Sequence, residues 1–391
     1  MVAIAYPFLV SLAAALVVRD QTPKPLSFTL NKQLTPKLVK PAPLGDSSNN
    51  TNKVDDKPSK LDAGQNIDIY AASALYLINL GLISQDQQVE VLLDSGSSDL
   101  WVDASKLNAT SGFTKNGESF GIVYGDGSTV VGDFGTSSVW LDNGVEVKDL
   151  QWALATDVRI DSGKKNGILG IGKEDNESPV HNKKPPYPNF TQKLKDEGFI
   201  STNGYSYFLN KINATSGTIT FGGRDLAKVK GPVATLTPNT SDKDSAFDSI
   251  TISKFATSNG QTSGPVEAVL DTGTTFSFLP FDTLQALAVP YTGWDESGTW
   301  YIEHADPDKY VSFFIGDIEI KISYADLAIP ETDANGKLTG KYLFGLQSTE
   351  REPYILGDTF LRFVYVTVNH DDNQVLISDV NYTEEENIVS L

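Results

Sequence analysis

The 391-residue chain has no cysteine, which removes disulfides, thiolate metal sites, iron–sulfur clusters and cysteine nucleophiles together. A cysteine-free chain ordinarily points to a reducing compartment, so secretion has to be argued from other features. Histidine is nearly as scarce. His181, His304 and His370 stand far apart and never at metal-ligand spacing, so each reads as an ordinary surface or core residue and no metal is expected. A Ser-His-Asp triad is not expected either, for want of a Gly-x-Ser-x-Gly elbow. Cationic charge is short as well: 31 Lys and Arg against 50 Asp and Glu give a net charge of −19. Such a chain is a poor partner for nucleic acid or anionic lipid, both of which require a cationic face. Protonation of carboxylates would relieve its self-repulsion, which suits an acid workplace. Metal-free, histidine-free chemistry is what remains.

Only one long apolar run occurs. Residues 2–18 carry no charge, include Ala13, Ala14 and Ala15, and stop at Arg19 and Asp20. The run falls short of the about twenty residues a membrane span needs, so residues 1–18 read as a secretory signal peptide. An uncleaved anchor or a buried N-terminal helix are the alternatives. Residues 19–65 hold six prolines, a polar patch from Asp46 to Asn52, and Lys32, Lys37, Lys40, Lys53, Lys57 and Lys60. This composition does not promise an independent fold. The segment reads either as a solvated linker or as a propeptide whose lysines lie against an acidic cleft as an intramolecular inhibitor. No dibasic site is present in it, so self-processing is expected, with a cut near Lys60.

From about residue 66 short apolar runs, such as Leu75–Leu80, Val89–Leu93, Val266–Leu270 and Phe363–Val368, are bounded by Gly, Asn, Asp and Ser. That pattern predicts a mostly β chain, with short helices near 190–197 and 281–288. Sequons at Asn49, Asn108, Asn176, Asn189, Asn213, Asn239 and Asn381 agree with a secretory, extracellular destination. The C-terminus has no apolar tail for a lipid-type anchor. Nothing suggests more than a monomer.

A pair of related segments carries the chemistry. Val91-Leu-Leu-Asp94-Ser-Gly-Ser-Ser98 and Val269-Leu-Asp271-Thr-Gly-Thr-Thr275 each end an apolar strand in Asp, followed by hydroxyl, glycine and hydroxyls. The aspartates stand 177 residues apart, one for each of two lobes, expected at 66–235 and 236–391. Each copy is echoed downstream by an Ile-Leu-Gly triplet: Ile168-Leu169-Gly170 and Ile355-Leu356-Gly357. One Asp-Ser-Gly is a turn; two copies with matching echoes are a constellation.

A carboxylate at the end of a buried strand is costly unless donors receive it. Gly96 and Gly273 allow close backbone approach. Ser97 and Thr274 can donate to the outer carboxylate oxygens, and Ser95 and Thr272 can tie the loops together. Facing each other, Asp94 and Asp271 would form a pair in which one carboxyl keeps its proton. One partner can then activate a water while the other, still protonated, donates a hydrogen bond to a substrate oxygen.

At these residues the chain resembles the pepsin-like aspartic proteases, and especially the secreted aspartyl proteinases of yeasts. The resemblance runs from about Ile67 to Tyr382. It rests on the two Asp segments with the Trp101 that follows the first, on Tyr124-Gly-Asp-Gly-Ser128, Gly167–Gly172, Phe221-Gly-Gly223 and Ile355–Arg362. It implies a bilobal, mostly β fold with a pseudo-two-fold axis and a cleft between the lobes, polypeptide substrates, inhibition by pepstatin-type compounds, and no cofactor. It implies roles for single residues too. Tyr124 would be the tyrosine of a hairpin flap, supported by Trp101. Gly125 and Asp126 would bond the substrate backbone, and Gly96, Gly273, Thr274 and Thr275 would line the substrate path. Ile168 and Phe278 would flank the dyad. The carboxylate of Asp126 would admit basic residues near the cleaved bond.

The chain departs from the family pattern in lacking disulfides, in having only 30 residues from Asp94 to Tyr124, and in carrying Ile83-Ser-Gln85 where a Gly-Thr-Pro-like turn is usual. The short spacing implies that an entrance loop is missing and that the cleft is more open. Two other classes compete: a catalytically silent relative, which would be expected to lose an Asp, its glycine or the flap tyrosine, and a carbohydrate-active protein working through two carboxylates.

Overall fold

The computed structural model describes residues 23–39, 69–125, 127–160, 166–238, 246–332 and 337–391. The expected signal peptide, residues 40–65 of the expected propeptide, and Asp126 therefore lie outside the described residues.

The first lobe is built from β1 (Leu26–Val39), β2 (Ile69–Leu82), β3 (Gln88–Asp94), β4 (Leu100–Asp103), β5 (Thr114–Val123), β6 (Thr129–Leu141), β7 (Glu146–Arg159), β8 (Gly167–Gly170), β9 (Gly204–Phe208) and β10 (Ser216–Phe221). Alternation along β2 decides its faces. Tyr76, Ile78 and Leu80 point into the main core, while Leu75 and Leu77 join a second cluster with Trp101, Phe120, Phe134 and Ile168. The second lobe has its own sheet, in which Ser249–Thr257 pairs with Val266–Leu270 on one side and with Tyr310–Ile315 on the other. The chain then returns. Val364–Asn369 pairs with β9 and with Gln374–Val380, and the latter pairs with Val229–Leu236, so C-terminal residues complete the sheet that the first lobe began.

The segment expected as a propeptide is in part a built-in strand. The first half of β1 pairs with β10, from Leu26 opposite Phe221 to Asn31 opposite Ser216, and its second half pairs with β2, from Asn31 opposite Leu77 onward. Phe28 and Leu30 are buried in the main core. A proline-rich, polar stretch cannot make a core alone, but a vacant slot between two strand edges supplies both the hydrogen bonds and the apolar face it lacks.

The repeated triplets owe their place to pairing. Ile168, Leu169 and Gly170 run parallel to Leu92, Leu93 and Asp94. Ile355 and Leu356 run parallel to Val269 and Leu270 in the same way. A Cβ on Gly170 would sit 2.6 Å from the Ser98 amide nitrogen, and one on Gly357 would sit 2.4 Å from the Phe276 carbonyl. Each glycine is thus the only residue that lets its strand pass the turn behind the neighbouring aspartate.

Candidate active site

Asp94 ends β3 and Asp271 follows the strand Val266–Leu270, so both carboxyls emerge from buried strand ends at the junction of the lobes. Each is received by its own loop. The Gly96 amide donates to Asp94 Oδ1 at 3.0 Å and the Ser97 hydroxyl to Oδ2 at 2.6 Å. The Gly273 amide donates to Asp271 Oδ1 at 2.8 Å and the Thr274 hydroxyl to Oδ2 at 2.6 Å. Below them the loops are cross-tied. The Ser95 amide donates to Thr272 Oγ1 and the Thr272 amide to Ser95 Oγ, each at 3.1 Å. The Ser95 hydroxyl in turn donates to the Leu270 carbonyl at 2.8 Å, and the Thr272 hydroxyl to the Leu93 carbonyl at 2.9 Å. Every donor in this buried knot has an acceptor, which keeps a polar centre affordable inside a β core.

The carboxyls approach each other across the knot. A Cβ on Gly96 would lie 2.6 Å from Cγ of Asp271, and one on Gly273 would lie 2.6 Å from Oδ1 of Asp94. Each carboxyl therefore fills the space that the other loop's glycine leaves open.

Tyr124 stands at the end of β5, and its hydroxyl accepts from Trp101 Nε1 at 2.6 Å. The hairpin tip is tight: the Tyr124 amide donates to the Ser128 carbonyl and the Gly127 amide to the Tyr124 carbonyl, both at 2.9 Å. Gly127 takes φ +82°, and neither it nor Gly125 has an atom within 4 Å of its would-be Cβ, so the tip is free on that side. Ile168 is buried in one apolar cluster with Trp101, its partner across the antiparallel pairing of β4 and β8. Phe278 packs half-buried with Phe276, Tyr301, Ile329 and Leu343 in a cluster of the second lobe. Thr275 is buried, its hydroxyl has no hydrogen-bond partner among the described residues, and its carbonyl accepts from the Thr359 amide at 2.9 Å.

Two expectations change on inspection. Gly117-Glu-Ser-Phe-Gly121 does have the spacing of a nucleophile elbow, but it lies inside β5 rather than at a strand-to-helix turn, so Ser119, although exposed, does not stand on the elbow that a serine nucleophile needs. Lys32, grouped with lysines expected against the cleft, donates instead to the carbonyl of Lys211 at 2.8 Å and to those of Leu209 and Asn210 at 3.4 Å. At the Gly-Thr-Pro position Ile83 takes φ 68°, an uncommon conformation for a β-branched residue.

Several supporting residues carry no local sequence signal. Asn176 donates to the Gly96 carbonyl at 3.2 Å. Asp358 follows the second Ile-Leu-Gly triplet. Its amide donates to the Thr274 carbonyl at 2.9 Å, and its carboxylate, fully buried, accepts from Arg362 at 2.7 Å and from the Tyr76 hydroxyl of the first lobe. Asp248, also buried, accepts from His370 Nε2 at 2.9 Å and from the Tyr205 hydroxyl at 3.1 Å. Beside the first loop, Asp99 and Glu177 are buried together. Asp99 accepts from Tyr187 at 2.7 Å and from the Ser178 amide at 2.8 Å, and Glu177 accepts from the Tyr187 amide at 2.8 Å while its Oε1 has no partner among the described residues. Burial drives both carboxyls upward, Asp99 to about 6 and Glu177 to about 9. Among the described residues no group of His, Asp and Glu is arranged to hold a metal ion.

Comparison with known proteins gives one answer. Residues 75–380 match the eukaryotic aspartyl protease family. The chain is 31% identical over 341 residues to an acid protease of Saccharomycopsis fibuligera, covering 82% of this chain and 85% of that protein. It is 32% identical over 343 residues to secreted aspartic protease 4 of Candida albicans, covering 81% of this chain and 79% of that one. The fold resembles the crystal structure of the aspartic proteinase from Irpex lacteus, with a TM-score of 0.68 at 20% identity over 80% of this chain and 95% of the other.

Proposed function

This chain belongs to the eukaryotic aspartyl protease family and is an aspartic-type endopeptidase, and from that premise we propose that Asp94 and Asp271 act as one proton-sharing pair in a secreted enzyme working at acid pH. The observation that carries the reading is the reciprocal fit of each carboxyl against the other loop's glycine. Two carboxyls that close hold one proton between them, as is general for such dyads. The ionised partner takes a proton from a water lying between them. The protonated partner hydrogen-bonds the scissile carbonyl, and the tetrahedral intermediate collapses as the leaving amine is protonated, with no acyl-enzyme. Amides and hydroxyls of both loops hold the carboxyls in place and need not move during the step. The Trp101–Tyr124 bond supports the hairpin over bound peptide, with Gly125, Asp126, Thr274, Thr275 and Phe278 along the substrate path.

The N-terminal apolar run supplies the route out of the cell and is then removed. Residues 19–65 carry the inhibitory role of the zymogen, and self-cleavage near Lys60 releases them. The monomer digests denatured proteins and binds pepstatin-type inhibitors. Acid-activated protein is assayed on denatured haemoglobin at pH 3–7 with and without pepstatin, and its N-termini are sequenced. Pepstatin-sensitive cleavage in acid is the expected result; pepstatin-resistant cleavage greatest near pH 8 would refute the reading.

A further inference from the structure

The loop that carries Asp94 is clasped by the chain leaving β8. The Ile171 amide donates to the Asp94 carbonyl at 3.0 Å, the Gly172 amide donates to the Ser97 carbonyl at 2.9 Å, and the Ser98 hydroxyl donates to the Lys173 carbonyl at 2.6 Å. Residues 171–173 use only backbone groups for these three contacts. The Gly96 carbonyl is held by a side chain instead: Asn176 Nδ2 donates to it at 3.2 Å.

Asn176 is itself well fixed. It ends the short turn Glu174–Asn176, where its backbone amide donates to the Lys173 carbonyl at 3.0 Å, and it is only 8% exposed. Its Oδ1 lies 3.3 Å from His181 Nε2. An imidazole protonated on both nitrogens can only donate, so it keeps that oxygen on its own side and turns the NH2 group towards Gly96.

The contact matters because of what shares the peptide it holds. The Gly96 carbonyl and the Ser97 nitrogen belong to one rigid plane. Fixing that plane orients the two residues that supply donors to Asp94, the Gly96 amide on Oδ1 and the Ser97 hydroxyl on Oδ2. There is little room for error. A Cβ on Gly96 would lie 2.6 Å from Cγ of Asp271, so a swing of this peptide displaces the loop relative to both carboxyls.

We propose that Asn176 is a positioning residue for Asp94, its amide fixing the Gly96–Ser97 peptide so that both donors meet the carboxylate. The proposal rests on the dyad reading above. Without the amide those donors loosen, the ionised form of the pair loses hydrogen bonds that favour it, and its proton leaves at higher pH. The attacking water is held less precisely as well, which lowers turnover more than binding.

The test compares acid-activated wild type with Asn176→Leu, which keeps the bulk of the side chain and removes its donor. Turnover is expressed per pepstatin-titrated site, and kcat and kcat/KM are followed from pH 2 to 8 on a peptide that does not titrate there. The Leu variant is expected to lose at least fivefold in kcat, more than it changes KM, and its acid limb should move up by about 0.5 pH unit or more. A smaller loss in kcat, a larger effect on KM than on kcat, or an acid limb that stays in place overturns the proposal. Asn176→Asp decides the same point if the Leu variant does not fold. A protonated carboxyl can donate to the Gly96 carbonyl and an ionised one cannot; burial and the neighbouring Glu174, Asp175 and Glu177 favour the protonated form, while His181 opposes it. Its kcat relative to wild type should fall at least fivefold between pH 3 and 6, and a smaller fall or a rise overturns the proposal. Peptide mapping should find no glycan on Asn176, and a glycan there overturns the contact. Asp94→Asn separates the two readings. If it stays active the dyad fails and the positioning role with it, whereas an inactive Asp94→Asn beside an unaffected Asn176→Leu removes the positioning role alone.

Discussion

Replacing Glu177 by Gln should make the protein less sensitive to neutral pH. Glu177 is fully buried, one carboxyl oxygen bonds the Tyr187 amide, and the other has no partner among the described residues. Burial raises its carboxyl from 4.5 to about 9, with Asp99, Glu174 and Asp175 adding to the rise and the Tyr187 amide opposing it. His181 acts on neighbouring Asp99 in the opposite sense, and Tyr187 and the Ser178 amide also face that carboxyl. A carboxyl raised in the folded state contributes its full stability below its unfolded value, about 4.5, and loses it progressively as pH climbs towards the folded value, about 9. Between pH 4.5 and 7 the unfolded chain gives up a proton that the folded chain must keep, a loss of about 3 kcal/mol at 1.36 kcal/mol per pH unit. Asp99, raised to about 6, loses stability over a narrower window of the same sign. Gln keeps the shape and the acceptor for Tyr187 but does not titrate. Urea unfolding followed by tryptophan fluorescence, in an Asp94→Asn background to prevent self-digestion, is measured at pH 4 and 7. The Gln variant should gain about 3 kcal/mol on wild type between those pH values. Parallel pH dependence, within about 0.5 kcal/mol, would refute the assignment of a buried protonated acid here.

Other perturbations test other parts of the account. Trp101→Phe removes the donor to the Tyr124 hydroxyl while keeping the ring, and should lower kcat/KM roughly tenfold with little change in melting temperature, read by peptide kinetics and calorimetry. Asp358→Asn leaves the buried Arg362 without its anion and weakens the tie to Tyr76, so stability should fall by about 3–5 kcal/mol in urea titration. Peptide mapping should find glycan at the exposed Asn108 and Asn213 but none at Asn189, whose buried amide donates to the Gly172 carbonyl and whose side chain caps the helix Phe190–Asp196.

The strands and the two Asp loops could be read from the chain because their requirements are local. An apolar run ending in Asp-Ser-Gly or Asp-Thr-Gly states both the buried strand and the donors that its carboxylate needs. The Ile-Leu-Gly echoes were visible as a pattern, but their reason, a parallel strand passing behind the neighbouring aspartate, is a long-range pairing that no window reveals. β1 was hidden because its prolines and lysines describe a segment that cannot fold unaided, and its partners β2 and β10 lie far along the chain. Glu177 and Asp99 gave no signal at all. An acid in a polar stretch is ordinarily solvated, whereas here both are buried and joined by Tyr187, whose amide donates to Glu177 and whose hydroxyl donates to Asp99.

The account stands most directly on the two aspartates acting as a pair. It is tested by kcat/KM between pH 2 and 8 for wild type, Asp94→Asn and Asp271→Asn, on a peptide that does not titrate in that range. Wild type should rise and fall around an acid maximum, and either variant should lose at least a thousandfold while unfolding as cooperatively as wild type. A maximum near pH 8, or a folded variant that keeps more than a tenth of wild-type activity, would contradict it.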